Sequence, residues 1–192
     1  DLSQYNGKVL MALYLQPDDI LNALHKRALA PYYLFFGPDE FMMERVITRI
    51  REEYIPEAGR DFNLEIFYGG EAEPSEIINR ARTIPFLADN RLIIVRRTEE
   101  FNADQLEKFL PYMENPVQST SLIFLTLRTD FKTKFYNKFR TTQRAVDFKE
   151  LKGNQVATWI KKTSKEMGIN LSGQACLFLQ NIVGDRLRDL HS

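Results

Sequence analysis

The residues with the clearest chemical potential are the eight from Gly37 to Glu44, Gly-Pro-Asp-Glu-Phe-Met-Met-Glu. They follow the apolar run Tyr32–Phe36 and precede a helical pattern. A turn from a buried strand into a helix is where a phosphate-binding loop sits. Its spacing would be G-x-x-x-x-G-K-[ST]: backbone amides cradle the phosphates, Lys balances their charge and the hydroxyl holds magnesium. Gly37 supplies the first glycine. The second glycine, the Lys and the Ser/Thr are missing, and Asp39 and Glu40 put negative charge where a phosphate needs positive. Two acids suit a helix N-terminus instead, because they complement the helix dipole. The turn is therefore expected to cap a helix and to repel a nucleotide.

A second segment, Thr83-Ile84-Pro85-Phe86-Leu87-Ala88-Asp89-Asn90-Arg91, ends a helical pattern at a proline and sets two bulky apolar residues before a polar turn. Large apolar residues are mostly buried, so on residue types alone Phe86 and Leu87 fold back beneath the sheet. The competing reading is an exposed apolar plug made for a partner's pocket. A third set is basic: Arg96, Arg97, Arg128, Lys132, Lys134, Lys138 and Arg140, with Phe131, Phe135, Tyr136 and Phe139 interleaved. It reads either as a nucleic-acid stripe or as an amphipathic helix with its rings inward, and the neutral net charge of the chain favours the helix.

Nucleophilic and metal chemistry find no constellation. His25 neighbours Lys26 and Arg27, and His191 lies near the end of the chain; neither has a placed Ser or Cys partner, and two distant histidines do not make a metal site. Cys176 sits among apolar helical neighbours as a core thiol. No catalytic, cofactor-binding or metal-ligating residue is assigned.

The elements that must position these residues alternate. Asp18 and Asp19 open a short helix, and Tyr32–Gly37 reads as a buried strand. Met43, Ile47, Ile50 and Tyr54 mark a long helix closed by Pro56 and Gly59. Phe62–Phe67 is strand-like, and Ile77, Ala81 and Ile84 share a helical face after Pro74. Arg91–Arg97 is a strand, ADQLEKFLPYME one helix, Ser121–Leu127 a strand, KFYNKFR a short helix and Ala145–Phe148 the last strand. Apolar strands alternating with helices imply a mainly parallel sheet covered on both faces, a three-layer α/β domain.

After Phe148 the pattern becomes wholly helical. Val156, Trp159 and Ile160 form one face, and Leu171, Ala175, Phe178, Leu179 and Ile182 another; GDRLRDLHS begins a third helix. Residues 11–149 are expected to form the α/β domain and 150–192 the truncated start of an α-helical one. Residues 1–10, DLSQYNGKVL, lack the order of a signal peptide and are read as a leader or added residues before Met11. The chain has 192 residues, 26 Lys+Arg against 26 Asp+Glu and a single cysteine, which removes a disulfide framework and gives no basic excess for DNA. No apolar run reaches the length of a membrane span.

Several segments, in order, resemble the delta-subunit family of the bacterial DNA polymerase III clamp loader. YYLFFGPDEFMMERVITRI is similar to that family's opening strand, degenerate turn and long helix, and FNLEIFYGGEAEPSEIINRARTIPFLADNRLIIVRR to its second strand, helix, apolar turn and third strand. SLIFLTL with DFKTKFYNKF is similar to the family's next strand and helix, AVDFKELKGNQVATWI to the junction into its second domain, and LSGQACLFLQNIVGDRLRDL to the helices of that domain. The resemblance spans roughly residues 31–190. It implies an AAA+-like P-loop NTPase fold with a degenerate nucleotide site, followed by the start of an α-helical lid domain. It also implies a non-catalytic, cytoplasmic subunit that binds the sliding clamp and helps open the ring. The family's apolar clamp-binding element falls on Phe86 and Leu87, with Ile84 and Pro85 beside them. Other loader subunits would be met through a C-terminal collar domain absent from this sequence, and primed DNA only within the assembled complex. The alternatives are an active AAA+ or P-loop ATPase, and a DNA-binding module using the Lys/Phe segment 131–140.

Overall fold

A computed structural model describes residues 14–183. The proposed leader 1–10, the start at Met11, the third helix of GDRLRDLHS and His191 lie outside the described residues. Contacts divide the chain into two compact units, up to Phe148 and from Lys149 onward.

The first unit runs α1 (Pro17–His25), β1 (Tyr32–Phe36), α2 (Glu40–Tyr54), a 3-10 turn at Glu57–Gly59, α3 (Arg60–Asn63), β2 (Leu64–Tyr68), α4 (Pro74–Arg82) and β3 (Arg91–Arg96). It continues through α5 (Ala103–Glu107), α6 (Leu110–Glu114), β4 (Thr120–Thr126), α7 (Lys134–Thr141) and β5 (Ala145–Asp147). The five strands form one sheet in the order β2-β3-β4-β1-β5, with every pairing parallel.

Burial on both faces explains why the strands read as unbroken apolar runs. Tyr33, Phe35, Ile94, Ile123, Leu125 and Val146 point to one face and pack on Ile20 and Leu24 of α1 and Met43, Val46, Ile47 and Ile50 of α2. Their alternates Tyr32, Leu34, Ile93, Val95, Leu122 and Phe124 meet Ile77 and Ala81 of α4, Leu106 of α5, Tyr112 and Met113 of α6 and Phe135 and Phe139 of α7. The chain moves one way across the sheet from β1 to β2 and the other way through β3, β4 and β5. Right-handed crossovers then place α2 on one face and the later helices on the other. The reversal leaves a crevice at the carboxyl ends of the strands beside β1, where open α/β sheets hold their ligands.

Three expectations are corrected. The second strand begins at Leu64, because Phe62 and Asn63 belong to the helical turn α3. The helix expected over ADQLEKFLPYME is two short ones, α5 and α6. Pro111 has no N–H to give the carbonyl of Glu107, and its ring crowds that carbonyl, so the helix breaks before it. Strands β1, β3 and β5 end one residue early, and β4 moves back one residue at both ends, which leaves Leu127 exposed.

The second unit is helical over its described residues: α8 (Asn154–Glu166) and α9 (Gly173–Val183) pack on each other. Val156, Trp159 and Ile160 are buried as the pattern required. On α9 the inward residue is Cys176, while Phe178 and Ile182 are exposed, against the expected apolar face.

Candidate partner-binding site

The turn at Gly37–Glu44 closes on itself. Gly37 has φ +128°, and a Cβ there would lie 2.4 Å from the carbonyl oxygen of Phe148, so only glycine fits. The Asp39 amide donates to that same oxygen at 3.1 Å, and Phe148 N–H returns a bond to Phe36 O at 2.8 Å. Asp39 caps α2 by accepting from Met42 N–H at 3.0 Å. The amides of Glu40 and Met43 donate to Pro38 O and Asp39 O. The amides of Asp39, Glu40, Met42 and Met43 are thus all bonded within the protein.

Glu44 stands at the position of the magnesium-binding hydroxyl. Its carboxylate takes both arms of the Arg96 guanidinium from the end of β3, Nη1 to Oε1 and Nη2 to Oε2, the second at 2.9 Å. Hydrogen bonds from Arg96 hold the Glu44 carboxyl below the usual range, and Glu44 in turn raises the guanidinium. The pair lines a cleft of ≈ 360 Å³ bounded by Glu40, Met43, Tyr68, Glu99 and Thr126.

The segment 83–90 lies at the opposite, amino end of the sheet, between α4 and β3. Ile84 is 82% exposed, Phe86 55% and Leu87 72%, with Pro85 half-buried. Burial beneath the sheet, the reading that residue types favour, does not occur. Leu87 adopts a left-handed φ of +54°. That conformation costs about 1–3 kcal/mol for a non-glycine residue and persists where its surroundings impose it. At the exit Arg91 is buried, with Nη1 2.8 Å from Glu65 Oε1, and its N–H donates to Ser119 O. At the entry Thr83 turns its hydroxyl back to Asn79 O.

Two residues that the sequence pattern places in a strand meet this loop. Asn63 is wholly buried and binds the backbone of Phe86 in both directions: Nδ2 donates to Phe86 O at 2.6 Å and Oδ1 accepts Phe86 N–H at 2.8 Å. Phe62 packs edge-on against Phe86. An asparagine preceding a strand run was the available signal, but its partner lies 23 positions away.

The basic segment resolves as a helix over the core. Phe135, Tyr136 and Phe139 are buried, so those rings are unavailable for stacking on bases. Lys134 pairs with Glu107 at 3.3 Å and Lys138 with Glu114 at 2.5 Å. His25 Nδ1 lies 3.6 Å from Glu53, and Cys176 is a buried thiol. Among the described residues no three His, Cys, Asp or Glu side chains converge as metal ligands, and no helix is long and apolar enough to cross a membrane.

The sequence profile of the family described as DNA polymerase III, delta subunit matches residues 33–154. The DNA polymerase III subunit delta of Bacillus subtilis (strain 168) is 23% identical over 182 residues, covering 90% of this chain and 52% of the relative. The solved structure of the Bacillus subtilis DNA clamp loader delta protein superposes with a TM-score of 0.79 at 21% identity, over 91% of this chain and 55% of that one. A DNA polymerase III gamma subunit-related protein from Thermotoga maritima gives 0.50 at 14% identity, over 78% and 52%. This chain therefore spans about half the length of these relatives. The parallel five-stranded sheet and these likenesses make the first unit AAA+-like. By the profile match, the chain belongs to the DNA polymerase III delta subunit family.

Proposed function

We propose that this chain is the clamp-binding part of a cytoplasmic clamp-loader subunit: it docks on the ring-shaped sliding clamp and helps to open it, and it does so without binding or hydrolysing ATP. Ile84, Pro85, Phe86 and Leu87 make the contact. The observation that carries this reading is that three large apolar side chains stand in solvent on a loop whose backbone is fixed. An apolar side chain held out on an ordered support loses little conformational freedom on docking, so more of its burial energy appears as affinity. Other loader subunits, and primed DNA within the assembled complex, are partners met away from this surface.

The crevice at the carboxyl end supports the non-catalytic half of the proposal. A nucleotide there would need turn amides that are already bonded, a lysine where Met43 stands and a magnesium ligand where Glu44 holds Arg96. The Arg96 guanidinium supplies Glu44 with a positive partner, so this carboxylate needs no metal ion to balance it.

Two titrations test the proposal. The purified chain should bind the sliding clamp of its own source saturably, and should show no saturable, magnesium-dependent binding of a fluorescent ATP analogue. Absence of clamp binding defeats the first half; micromolar nucleotide binding defeats the second.

A further inference from the structure

The residues around Phe86 extend the surface beyond the loop. Because the chain enters the sheet at Leu64, Phe62 is left outside it, 53% exposed on the helical turn α3. Its ring meets that of Phe86 edge-on, with centroids 5.3 Å apart and planes at 76°. This geometry is the attractive one for two aromatic rings. Phe62 thus adds a second chain segment to the apolar patch formed by Ile84, Phe86 and Leu87.

The next residue fixes that pairing. Asn63 points the opposite way, fully buried, and its carboxamide makes three hydrogen bonds. Nδ2 donates to Gly59 O at 2.8 Å and to Phe86 O at 2.6 Å, and Oδ1 accepts Phe86 N–H at 2.8 Å. The two bonds to Phe86 satisfy one residue's N–H and C=O together, as a neighbouring strand would. Gly59 closes the seat, since a Cβ there would lie 3.2 Å from Leu87 O and 3.3 Å from Ala88 Cβ. The loop therefore rests on the turn before β2, and adjacent residues of that turn do different work: Asn63 grips the loop backbone and Phe62 stands beside the displayed ring.

We propose that the clamp contact is a two-segment surface, in which Phe62 packs against the clamp together with Phe86 and Leu87, and Asn63 is the positioning residue that holds the loop out for it. This rests on the clamp-binding reading above. Its occupant is the same apolar pocket of the clamp, entered by Phe86 and Leu87 and rimmed by Phe62. Phe62 should slow dissociation, and Asn63 should act through the order of the loop.

The experiment uses the full chain with purified sliding clamp and the variants Phe62→Ala, Asn63→Ala and Phe86→Ala/Leu87→Ala. It measures clamp association and dissociation, amide hydrogen exchange at Phe86 and at the core residue Ile94, and thermal melting. Phe62→Ala should speed dissociation about tenfold, the scale of a moderate interface side chain, with melting and Phe86 protection unchanged. Asn63→Ala removes all three bonds and should cut Phe86 protection at least about tenfold. Ile94 protection should hold, and affinity should fall with the loop. Unchanged affinity in Phe62→Ala and Asn63→Ala, while the Phe86/Leu87 double variant loses binding, overturns this proposal and leaves the clamp reading standing. No clamp binding by the unaltered chain overturns the clamp reading and with it the role of Phe62. Phe86 exchange in Asn63→Ala still tests the latch in that case. Equal loss of protection at Phe86 and Ile94 shows that Asn63 supports the whole fold and overturns its positioning role. Phe62→Ala, altering only an exposed ring, decides the surface even if Asn63→Ala fails to fold.

Discussion

The two ends of the sheet solve opposite problems with similar means. At the carboxyl end, the Gly37–Glu44 turn is fixed by backbone bonds to Phe148 and by the Asp39 cap, and Glu44 is paired with Arg96 at the end of β3. At the amino end, the loop 83–90 is fixed by the Asn63 carboxamide, and it leaves the large apolar side chains Ile84, Phe86 and Leu87 in solvent. A loop that binds phosphate must keep its amides unspent. A loop that binds an apolar pocket must spend its amides and keep its side chains unspent. By that criterion the proposal assigns the partner to the amino-end loop and no phosphate to the carboxyl-end turn.

The largest effect expected from this contrast is in partner binding. Fully burying Phe86 and Leu87 in a pocket would contribute on the order of 3–6 kcal/mol, reduced by the ordering cost of association. Replacing both by Ala should weaken clamp binding by about two orders of magnitude or more, while melting moves by no more than about 2 °C, as for surface changes. The buried Phe109 and Phe124 supply the opposite control, since truncating a core Phe typically removes about 3–5 kcal/mol of stability. A large fall in melting temperature for the Phe86/Leu87 variant with clamp affinity intact would mean that the pair serves the core and not the partner.

The next effect belongs to the other end. Gly37→Ala places a Cβ against the Phe148 carbonyl at a φ that L-residues avoid. The turn must shift, and a loss of about 2–3 kcal/mol is expected. Clamp affinity, measured where the variant remains folded, should hold within about twofold, because the strained turn follows β1 at the opposite end of the sheet from the loop. A comparable loss of clamp affinity would show that the two ends are coupled.

The sequence made the two ends unequally legible. Strands β1, β3, β4 and β5 stand out because burial on both faces forces apolar runs, and the Gly37–Glu44 turn stands out because a phosphate site has fixed residue demands. The start of β2 was misplaced because Phe62 and Asn63 continue the run that ends at Phe67. Asn63 is in fact buried by a tertiary bond to Phe86, and no local pattern encodes a partner 23 residues away. The exposure of Phe86 and Leu87 was illegible for the same reason. Composition favours burial, and only the resemblance to a clamp-loader subunit pointed outward. Phe178 and Ile182 were misassigned because helical periodicity identifies a face without saying what covers it.

The smallest effect concerns the Glu44–Arg96 charge pair at the carboxyl end. Hydrogen bonds from Arg96 depress the Glu44 carboxyl below its usual 4.5 in the folded chain. A depressed carboxylate stabilises the fold above its unfolded value, and that contribution disappears as pH falls through the folded value. The Glu44 side chain is half exposed, so solvent screens the pair and its worth is under about 1 kcal/mol. Glu44→Gln, which keeps the shape and removes the charge, should therefore melt slightly below the parent at pH 7. The gap should close as pH drops below the ordinary carboxylate range, and should narrow in roughly 1 M salt, where screening is short-ranged. Comparing the two proteins at each pH cancels the other carboxylates they share. The Asn63 latch carries no charge, so the protection factor of the Phe86 amide should stay flat over the same pH range. A gap that persists at acid pH would mean that Glu44 acts through packing. Phe86 protection that tracks the titration of Glu44 would mean that the two ends of the sheet move together.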